Sequence, residues 1–197
     1  DVLATITGRA RSLLTAERVA LNFLGPLSGT ATATAALVGA IEGTKARIAC
    51  TRKTLPGLRL LQKYAVRCGG GFNHRFGRDD AAMVKDNHIA VAGSIGKAVE
   101  RARSRVPGLI KIEVECDRME QVHEAVAAKA DIIMLDNMPL DVMREAVKFV
   151  DGRIPLEASG GVRFETVRPI AETGVDYIST SKTIQGAPAV DICLDDA

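Results

Sequence analysis

The second half of the chain alternates short apolar runs with amphipathic stretches. The apolar runs have strand length and lie at 110–117, 131–137, 154–161 and 175–182. The stretches between them have apolar residues at helical spacing and lie at 117–130, 139–150 and 164–174. The polar residues near the ends of the runs are 21, 23 and 22 positions apart; they are Glu115, Asp136, Ser159 and Ser181. This spacing predicts a repeated strand–helix unit.

The repeat predicts an incomplete barrel. Strands that alternate with helices form a parallel sheet, and short units of nearly constant length favour closure into a barrel. Two earlier strands are expected at 46–51 and 80–89, and a further helix at 94–105. The segment 69–77 is glycine-rich and is expected to be a loop or a short strand. The prediction is therefore an α/β fold with an incomplete, about six-stranded TIM-like barrel over residues 43–190.

The remaining segments are expected to lie outside the barrel. Residues 13–42 predict two linker helices that are broken at Gly25-Pro26. The small side chains at 28–36 suit close helix packing, and another subunit is one candidate for the packing partner. Residues 1–12 are interpreted as the remnant of an N-terminal domain, including a strand without its partners, and residues 191–197 as a C-terminal segment.

Composition excludes several classes of function. The chain has no Trp and 4% aromatic residues, which argues against a nucleic-acid surface built on base stacking. It has no apolar run of the ~20 residues that a membrane span needs, and its four cysteines show no metal-ligand or disulfide spacing. We expect a cytoplasmic protein. Residues 1–90 carry 13 Lys and Arg against 6 Asp and Glu, which favours an anionic ligand or else an uneven solvated surface.

Cationic groups cluster in three short runs at or just after predicted strand ends. They are Arg52, Lys53, His74, Arg75 and Lys85. Strand ends of a barrel meet at one mouth, so these groups are expected to face one pocket with Glu115 and Asp136 opposite. Guanidinium forks and ammonium groups suit a dicarboxylate. The two acids could hold Mg²⁺ through water or stabilise a ribose cation. Each residue alone could equally be a surface charge or a structural ion pair.

Small residues after the last two strands predict a phosphate site. Ser159, Gly160 and Gly161 follow one strand, and Ser181 follows the next. Loops at these places in a barrel commonly present backbone N–H groups to phosphate. Glycine pairs also occur in many ordinary loops, so this signal is weak by itself.

The motif series resembles the quinolinate phosphoribosyltransferase family, from about Gly8 to Asp195. The motifs, in order, are ERVALNFLGPLSGTAT, TRKTLPGLRLLQKYAVRCGGGFNHRFG, MVKDNHI, IEVE, IIMLDN, EASGGV and GVDYIS. The resemblance implies a small N-terminal sandwich domain, largely missing from this chain, followed by a barrel of about six strands. It also implies a homodimer or higher homo-oligomer whose subunits complete each other's active sites.

The resemblance implies a role for each candidate residue. Quinolinate would be bound by Arg52, His74, Arg75, Lys85 and, across the dimer, Arg18. Phosphoribosyl pyrophosphate would contact Lys53, its ribose and Mg²⁺ would be held by Glu115 and Asp136, and its phosphate would be bound by Ser159, Gly160 and Gly161. No organic cofactor is implied. The chain departs from the family at Thr180–Gln185, where Ser181 replaces a glycine and Lys182 adds a charge, so phosphate binding there could use side chains.

Three alternatives stay open at this point. Lys85 could form a Schiff base, as in lysine-dependent aldolases. A related phosphoribosyltransferase could act on another acid, although the set that would distinguish it is intact here: Arg52, His74, Arg75 and Lys85. A non-catalytic oligomerisation or ligand-binding module is the third.

Overall fold

In the computed structural model, which describes residues 1–195, six short strands form one parallel sheet. The strands are β1 (Arg47–Ala49), β2 (Ala82–Val84), β3 (Ile112–Cys116), β4 (Ile132–Asp136), β5 (Leu156–Ser159) and β6 (Tyr177–Ser179). Their order in the sheet is β1-β6-β5-β4-β3-β2. Each strand lies within a segment predicted from the sequence, and the α/β class and the six-stranded architecture are confirmed.

Helices connect and cover these strands. They are α1 (Ala10–Ala40), α2 (Arg59–Cys68), α3 (Asp86–Ala92), α4 (Ile95–Arg103), α5 (Met119–Ala127), α6 (Leu140–Val150) and α7 (Phe164–Ala171), with a short 3-10 turn at Ser181–Thr183. The predicted helices correspond to α4, α5, α6 and α7. Two helices were not predicted. They are α2, and α3, which takes the place of the second half of the strand expected at 80–89.

The barrel is open between its first two strands. In the described part of the chain β1 and β2 do not pair, and the glycine-rich segment lies between them. Phe72 forms a single parallel bridge with Ala49, in which the Phe72 N–H donates to the Ile48 carbonyl at 2.8 Å and the Cys50 N–H donates to the Phe72 carbonyl at 3.0 Å. The segment expected to be a loop or a short strand is therefore a loop that contains one strand-like bridge.

Strand β3 carries apolar side chains on one face and acidic ones on the other. In β3, Ile112, Val114 and Cys116 are fully buried against the helix layer, and they alternate with Glu113 and Glu115. Because successive side chains of a strand point to opposite faces, both glutamates face the barrel interior. Glu115 pairs in register with Met134, which pairs with Glu157, so these three side chains share the inner face.

The prediction of two linker helices is wrong, because α1 runs without a break through Pro26. A mid-helix proline removes one hydrogen bond, but here α1 is supported by its packing against α2, α7 and the C-terminal segment. By length and composition alone this 31-residue helix could cross a membrane.

The strand expected near the N-terminus is also wrong: residues 1–9 contain no strand, and an unpaired strand has no ladder of hydrogen bonds to stabilise it.

Gly29 lets the C-terminal segment lie directly against α1. A Cβ atom at Gly29 would be 2.0 Å from the Pro188 carbonyl oxygen, whereas one at Gly39 would have nothing within 4 Å. We expect Gly29→Ala to lower the free energy of unfolding by about 1–3 kcal/mol through overpacking. The matched change Gly39→Ala should raise it by about 0.5–1 kcal/mol, because alanine is the better helix former. Urea denaturation tests both, and equal effects would contradict this packing.

Candidate active site

Four of the predicted residues lie at the carboxyl ends of neighbouring strands. Lys85 directly follows β2, Glu115 is near the end of β3, Asp136 ends β4, and Ser159 ends β5. The Lys85 ammonium group contacts the Glu115 carboxylate directly. Asp136 pairs in register with Ser159, and its carboxylate accepts a hydrogen bond from the Asn137 amide at 2.7 Å. The structure therefore brings these groups to one mouth of the barrel.

The loop after β5 is shaped by contact with the loop after β4. The Asn137 N–H donates to the Ser159 carbonyl at 2.9 Å. Gly160 has φ +86°, and a Cβ atom there would lie 2.3 Å from the Asn137 amide oxygen. Only glycine fits this position. Ser181 lies after β6 at the start of the 3-10 turn, and the neighbouring Thr180 hydroxyl accepts from the Lys182 N–H at 3.1 Å.

Two guanidinium groups with free donors lie close to each other in the interior. The Nε atoms of Arg52 and Arg75 are both buried, and within residues 1–195 neither has a hydrogen-bond partner. Burial lowers the pKa of Arg75, and the positive charge of Arg52 lowers it further. Buried donors and adjacent like charges both cost free energy unless an anion binds them. This pair is therefore suited to a ligand that carries carboxylates.

His74 is held within the protein through both of its ring nitrogens. Its Nε2 lies 3.2 Å from a Glu113 oxygen and 3.4 Å from a Glu157 oxygen, and its Nδ1 accepts a hydrogen bond from the Arg75 N–H at 2.8 Å. Burial lowers the pKa of His74, but the two carboxylates raise it by more, to about 10. Burial also raises the pKa of Glu113. The two raised pKa values mean that His74, Glu113 and Glu157 together bind one proton more at neutral pH than a neutral ring and two carboxylates would. Because Nδ1 already accepts a hydrogen bond, we assign that proton to a carboxyl group and not to the ring.

The sequence reasoning missed three buried ionisable residues beside this histidine. Glu113 is 2% exposed, Glu157 is 4% exposed and Lys63 is 3% exposed. The signal for the glutamates was present, because each lies between two apolar residues of its strand. No signal pointed to Lys63, since its helix α2 was not predicted.

The two remaining charged residues of the prediction, Lys53 and Arg18, are exposed. Lys53 is exposed in the loop after β1, and its N–H donates to the Thr51 hydroxyl at 3.0 Å. Arg18 is exposed on α1, and among residues 1–195 no hydrogen bond or ion pair joins it to the strand ends. This chain alone therefore does not place Arg18 in the pocket.

A cavity of about 620 Å³ enters the barrel near the amino ends of the strands. Ala81, Lys111 and Pro155, each just before a strand, line its outer part. His74, Arg75, Glu113 and Glu157 line its inner part. These four residues therefore lie between this cavity and the acidic mouth at the carboxyl ends.

Two sets of carboxylates could hold a metal ion. Ligand atoms of His74, Glu113 and Glu157 lie within 4.8 Å of one another. Because Nδ1 accepts the hydrogen bond from the Arg75 N–H, the proton of the neutral ring lies on Nε2. Nε2 therefore has no free lone pair with which to bind a metal ion. Glu115 and Asp136 fit a magnesium ion better, since both are partly exposed oxygen ligands at an open mouth, where Mg²⁺ can keep several waters.

Comparison with known proteins gives a consistent result. Residues 30–195 match the family model described as quinolinate phosphoribosyl transferase, C-terminal domain. A probable nicotinate-nucleotide pyrophosphorylase [carboxylating] of Synechocystis is 52% identical and a nicotinate-nucleotide pyrophosphorylase [carboxylating] of Mycobacterium leprae is 48% identical, each over 98% of this chain. The chain spans 66% and 69% of the lengths of these two relatives.

The fold comparison agrees with the sequence comparison. The crystal structure of NadC from Streptococcus pyogenes superposes with a TM-score of 0.90 at 47% identity, covering 93% of this chain and 65% of that one. A nicotinate-nucleotide pyrophosphorylase from Pyrococcus furiosus, at 20% identity, shares the fold with a TM-score of 0.70. The incomplete barrel, the cationic pair and these relatives together show that the chain belongs to the quinolinate phosphoribosyltransferase family.

Proposed function

We propose that this chain provides the barrel in which quinolinate and phosphoribosyl pyrophosphate react to nicotinate mononucleotide, pyrophosphate and carbon dioxide, a step of NAD biosynthesis. One observation carries the proposal: the Nε donors of Arg52 and Arg75 are buried and lack partners among residues 1–195. Quinolinate brings two carboxylates, which would satisfy those donors and relieve the repulsion between the two cations. The names of the relatives support the same reaction.

The mouth of the barrel suits the transfer step. The pyridine nitrogen of quinolinate would attack the anomeric carbon of the ribose as the bond to pyrophosphate breaks. Glu115 and Asp136 would stabilise the positive charge that grows on the sugar, and Lys53 would neutralise charge on the leaving group. Magnesium, held by Glu115 and Asp136 through water, would supply further neutralisation of the pyrophosphate.

Decarboxylation would follow on the same ring. The bond between the ring and the carboxylate next to its nitrogen breaks, carbon dioxide leaves, and the cationic ring accepts the electron pair. The ring carbon then takes up a proton. Arg52, Arg75 and Lys85 would hold the second carboxylate during this step and keep the ring in place.

The Schiff-base alternative receives no support from the geometry. The Lys85 nitrogen is in direct contact with the Glu115 carboxylate, and an ammonium group held by a carboxylate is not a free amine nucleophile. In the proposed phosphoribosyl transfer, Lys85 and Glu115 act as charged groups, and neither has to be a nucleophile.

We extend the proposal to a cytoplasmic homodimer or higher homo-oligomer in which Arg18 reaches the active site of the partner. Arg18 is exposed on α1, away from the strand ends of its own chain. The same stretch of helix exposes Leu14 by 70%, Val19 by 60% and Phe23 by 43%. Apolar side chains at this density favour burial in an interface.

Calorimetry and a product assay on the purified chain test the function, with size-exclusion chromatography for its assembly. We expect quinolinate to bind once per chain and nicotinate, which lacks one of the two carboxylates, to bind far more weakly. Nicotinate mononucleotide should form when phosphoribosyl pyrophosphate and Mg²⁺ are added. Equal affinity for the two acids in the folded oligomer would contradict the proposed carboxylate site.

Gly160→Ala should weaken binding of phosphoribosyl pyrophosphate, because the new Cβ atom would collide with Asn137 and disturb the loop after β5. We expect the KM for phosphoribosyl pyrophosphate to rise about tenfold or more, as for a displacement near the reacting groups. Gly152→Ala is the matched control: its φ of +70° is also unfavourable for alanine, but a Cβ atom there meets nothing within 4 Å. Similar KM values for the two variants would show that the loop after β5 is not part of the phosphate site.

A further inference from the structure

We propose that Glu113 and Glu157 hold the His74 ring in its Nε2–H form and thereby position Arg75 beside Arg52. This inference rests on the proposed function, because Arg75 is taken to bind a carboxylate of quinolinate. Glu113 and Glu157 do not themselves contact the substrate in this scheme. They act through His74 and are positioning residues.

Both glutamates are built into the barrel wall. Glu113 is the second residue of β3 and Glu157 the second residue of β5, and they are only 2% and 4% exposed. Their carboxylates approach the same ring nitrogen, at 3.2 Å and 3.4 Å. Strand residues with buried side chains have little freedom, so the Nε2 atom of His74 is held at a fixed place between two strands.

The backbone N–H of the next residue favours the same tautomer as the two carboxylates. The Arg75 N–H lies 2.8 Å from Nδ1, and an N–H donor needs a lone pair on its acceptor. Nδ1 is therefore unprotonated, and the single proton of the neutral ring lies on Nε2, where it faces the two carboxylates. The ring thus links β3 and β5 to the backbone of Arg75.

Two further contacts hold the same segment. The buried Lys63 ammonium group donates to the His74 carbonyl at 2.7 Å and to the Cys50 sulfur at 3.0 Å. After Arg75, the Asp80 carboxylate accepts the N–H groups of Phe76 and Gly77. The backbone is therefore fixed on both sides of Arg75. The Arg75 guanidinium group donates to the Ala81 carbonyl at 3.2 Å.

The positioning of Arg75 gives a reason why Glu113, Glu157 and Lys63 are buried in the barrel. Ionisable groups are costly inside a barrel unless they are paired or hydrogen-bonded. The free-energy cost of burying these groups is offset in substrate binding, because they hold Arg75 beside Arg52 before the substrate arrives. Preorganised donors need no rearrangement when the carboxylate binds.

Nitrogen NMR of the chain labelled with ¹⁵N-histidine tests the tautomer directly, because the sequence contains only 3 histidines. We expect His74 to show a protonated Nε2 and an unprotonated Nδ1 at neutral pH. A His74 ring with a protonated Nδ1, whether neutral or cationic, would overturn the inference, because the Arg75 N–H could then not bond to it.

Variants of Glu157 connect the tautomer to binding. Glu157→Leu removes one of the two carboxylates near Nε2, whereas Glu157→Gln keeps an oxygen there. Glu120→Leu, which changes an exposed acid on α5, is the control. We expect Glu157→Leu to alter the His74 nitrogen signals and raise the quinolinate KM by about tenfold to a hundredfold, with a smaller change for phosphoribosyl pyrophosphate. Glu157→Gln should restore both readouts most of the way.

The outcomes separate this inference from the proposed function. Failure of the unmodified chain to bind quinolinate would refute the function, while the NMR signals would still report the tautomer. If the chain binds quinolinate and Glu157→Leu changes neither the His74 signals nor the quinolinate KM, the inference is wrong and the function stands. Should Glu157→Leu not fold, the NMR spectrum of the unmodified chain decides alone.

Discussion

Replacing Arg75 with alanine should raise the KM for quinolinate by about thirtyfold to several thousandfold, because a buried charged hydrogen bond to one carboxylate is worth about 2–5 kcal/mol. The KM for phosphoribosyl pyrophosphate should change little, since Arg75 lies on the quinolinate side of the site. Calorimetric titration with quinolinate gives the same comparison without turnover. The change should not unfold the chain, because the side chain makes only one hydrogen bond to oxygen among the described residues.

Arg78→Ala is the matched control for this variant. Arg78 is an exposed arginine of the same loop, and its loss should leave the quinolinate KM within about twofold, as expected for a screened surface charge. Arg75→Lys keeps the charge and loses the planar fork, so it should fall between the native chain and Arg75→Ala. A quinolinate KM that is the same in Arg75→Ala and Arg78→Ala would remove Arg75 from the carboxylate site.

Glu115→Gln should lower kcat by about a hundredfold to a thousandfold, the usual loss when one group that stabilises a charged transition state is removed. The amide keeps the shape of the side chain but takes away the negative charge opposite the ribose. It also leaves Lys85 without its carboxylate partner, and the KM for both substrates should change less than kcat. Steady-state and single-turnover kinetics together separate this loss from slow product release.

Glu120→Gln is the control for the loss of one negative charge. The Glu120 side chain is 80% exposed, so its charge is screened by solvent. The kcat of this variant should equal that of the native chain. A Glu115→Gln variant with native kcat would show that no charge is needed at this place, and the transfer step described above would then have to rely on other groups.

The strand–helix repeat could be predicted because each strand is short, apolar and followed by a helix with its own periodicity. Six strands and four helices follow from that alternation. The helix α2 was missed although its charged residues Arg59, Lys63 and Arg67 are four positions apart, as on one face of an amphipathic helix, so a signal was present over its 10 residues. Pro26 was over-interpreted, since packing along α1 supports a helix that local propensity alone would end.

The candidate site could be predicted only in part, for a physical reason. Residues at strand ends, such as Lys85 and Asp136, follow from the rule that the carboxyl ends of parallel strands meet at one mouth. The partners of His74 could not be derived, because Glu113 and Glu157 are far apart in sequence and meet only through the order of strands in the sheet. The tautomer of the ring depends on the Arg75 backbone N–H together with these two carboxylates, and no sequence pattern reports that.

The opening between β1 and β2 has a consequence for how such enzymes can change specificity. A closed eight-stranded barrel has regular hydrogen bonds all round its wall, and altering one strand disturbs its neighbours. Here the connection through Phe72, His74 and Arg75 takes the place of further strands. Within the described part of the chain, its only ladder contact is the bridge to Ala49. Evolution or design could therefore exchange this one connection for another, and so recognise a different acid, while the paired strands and their helices are retained.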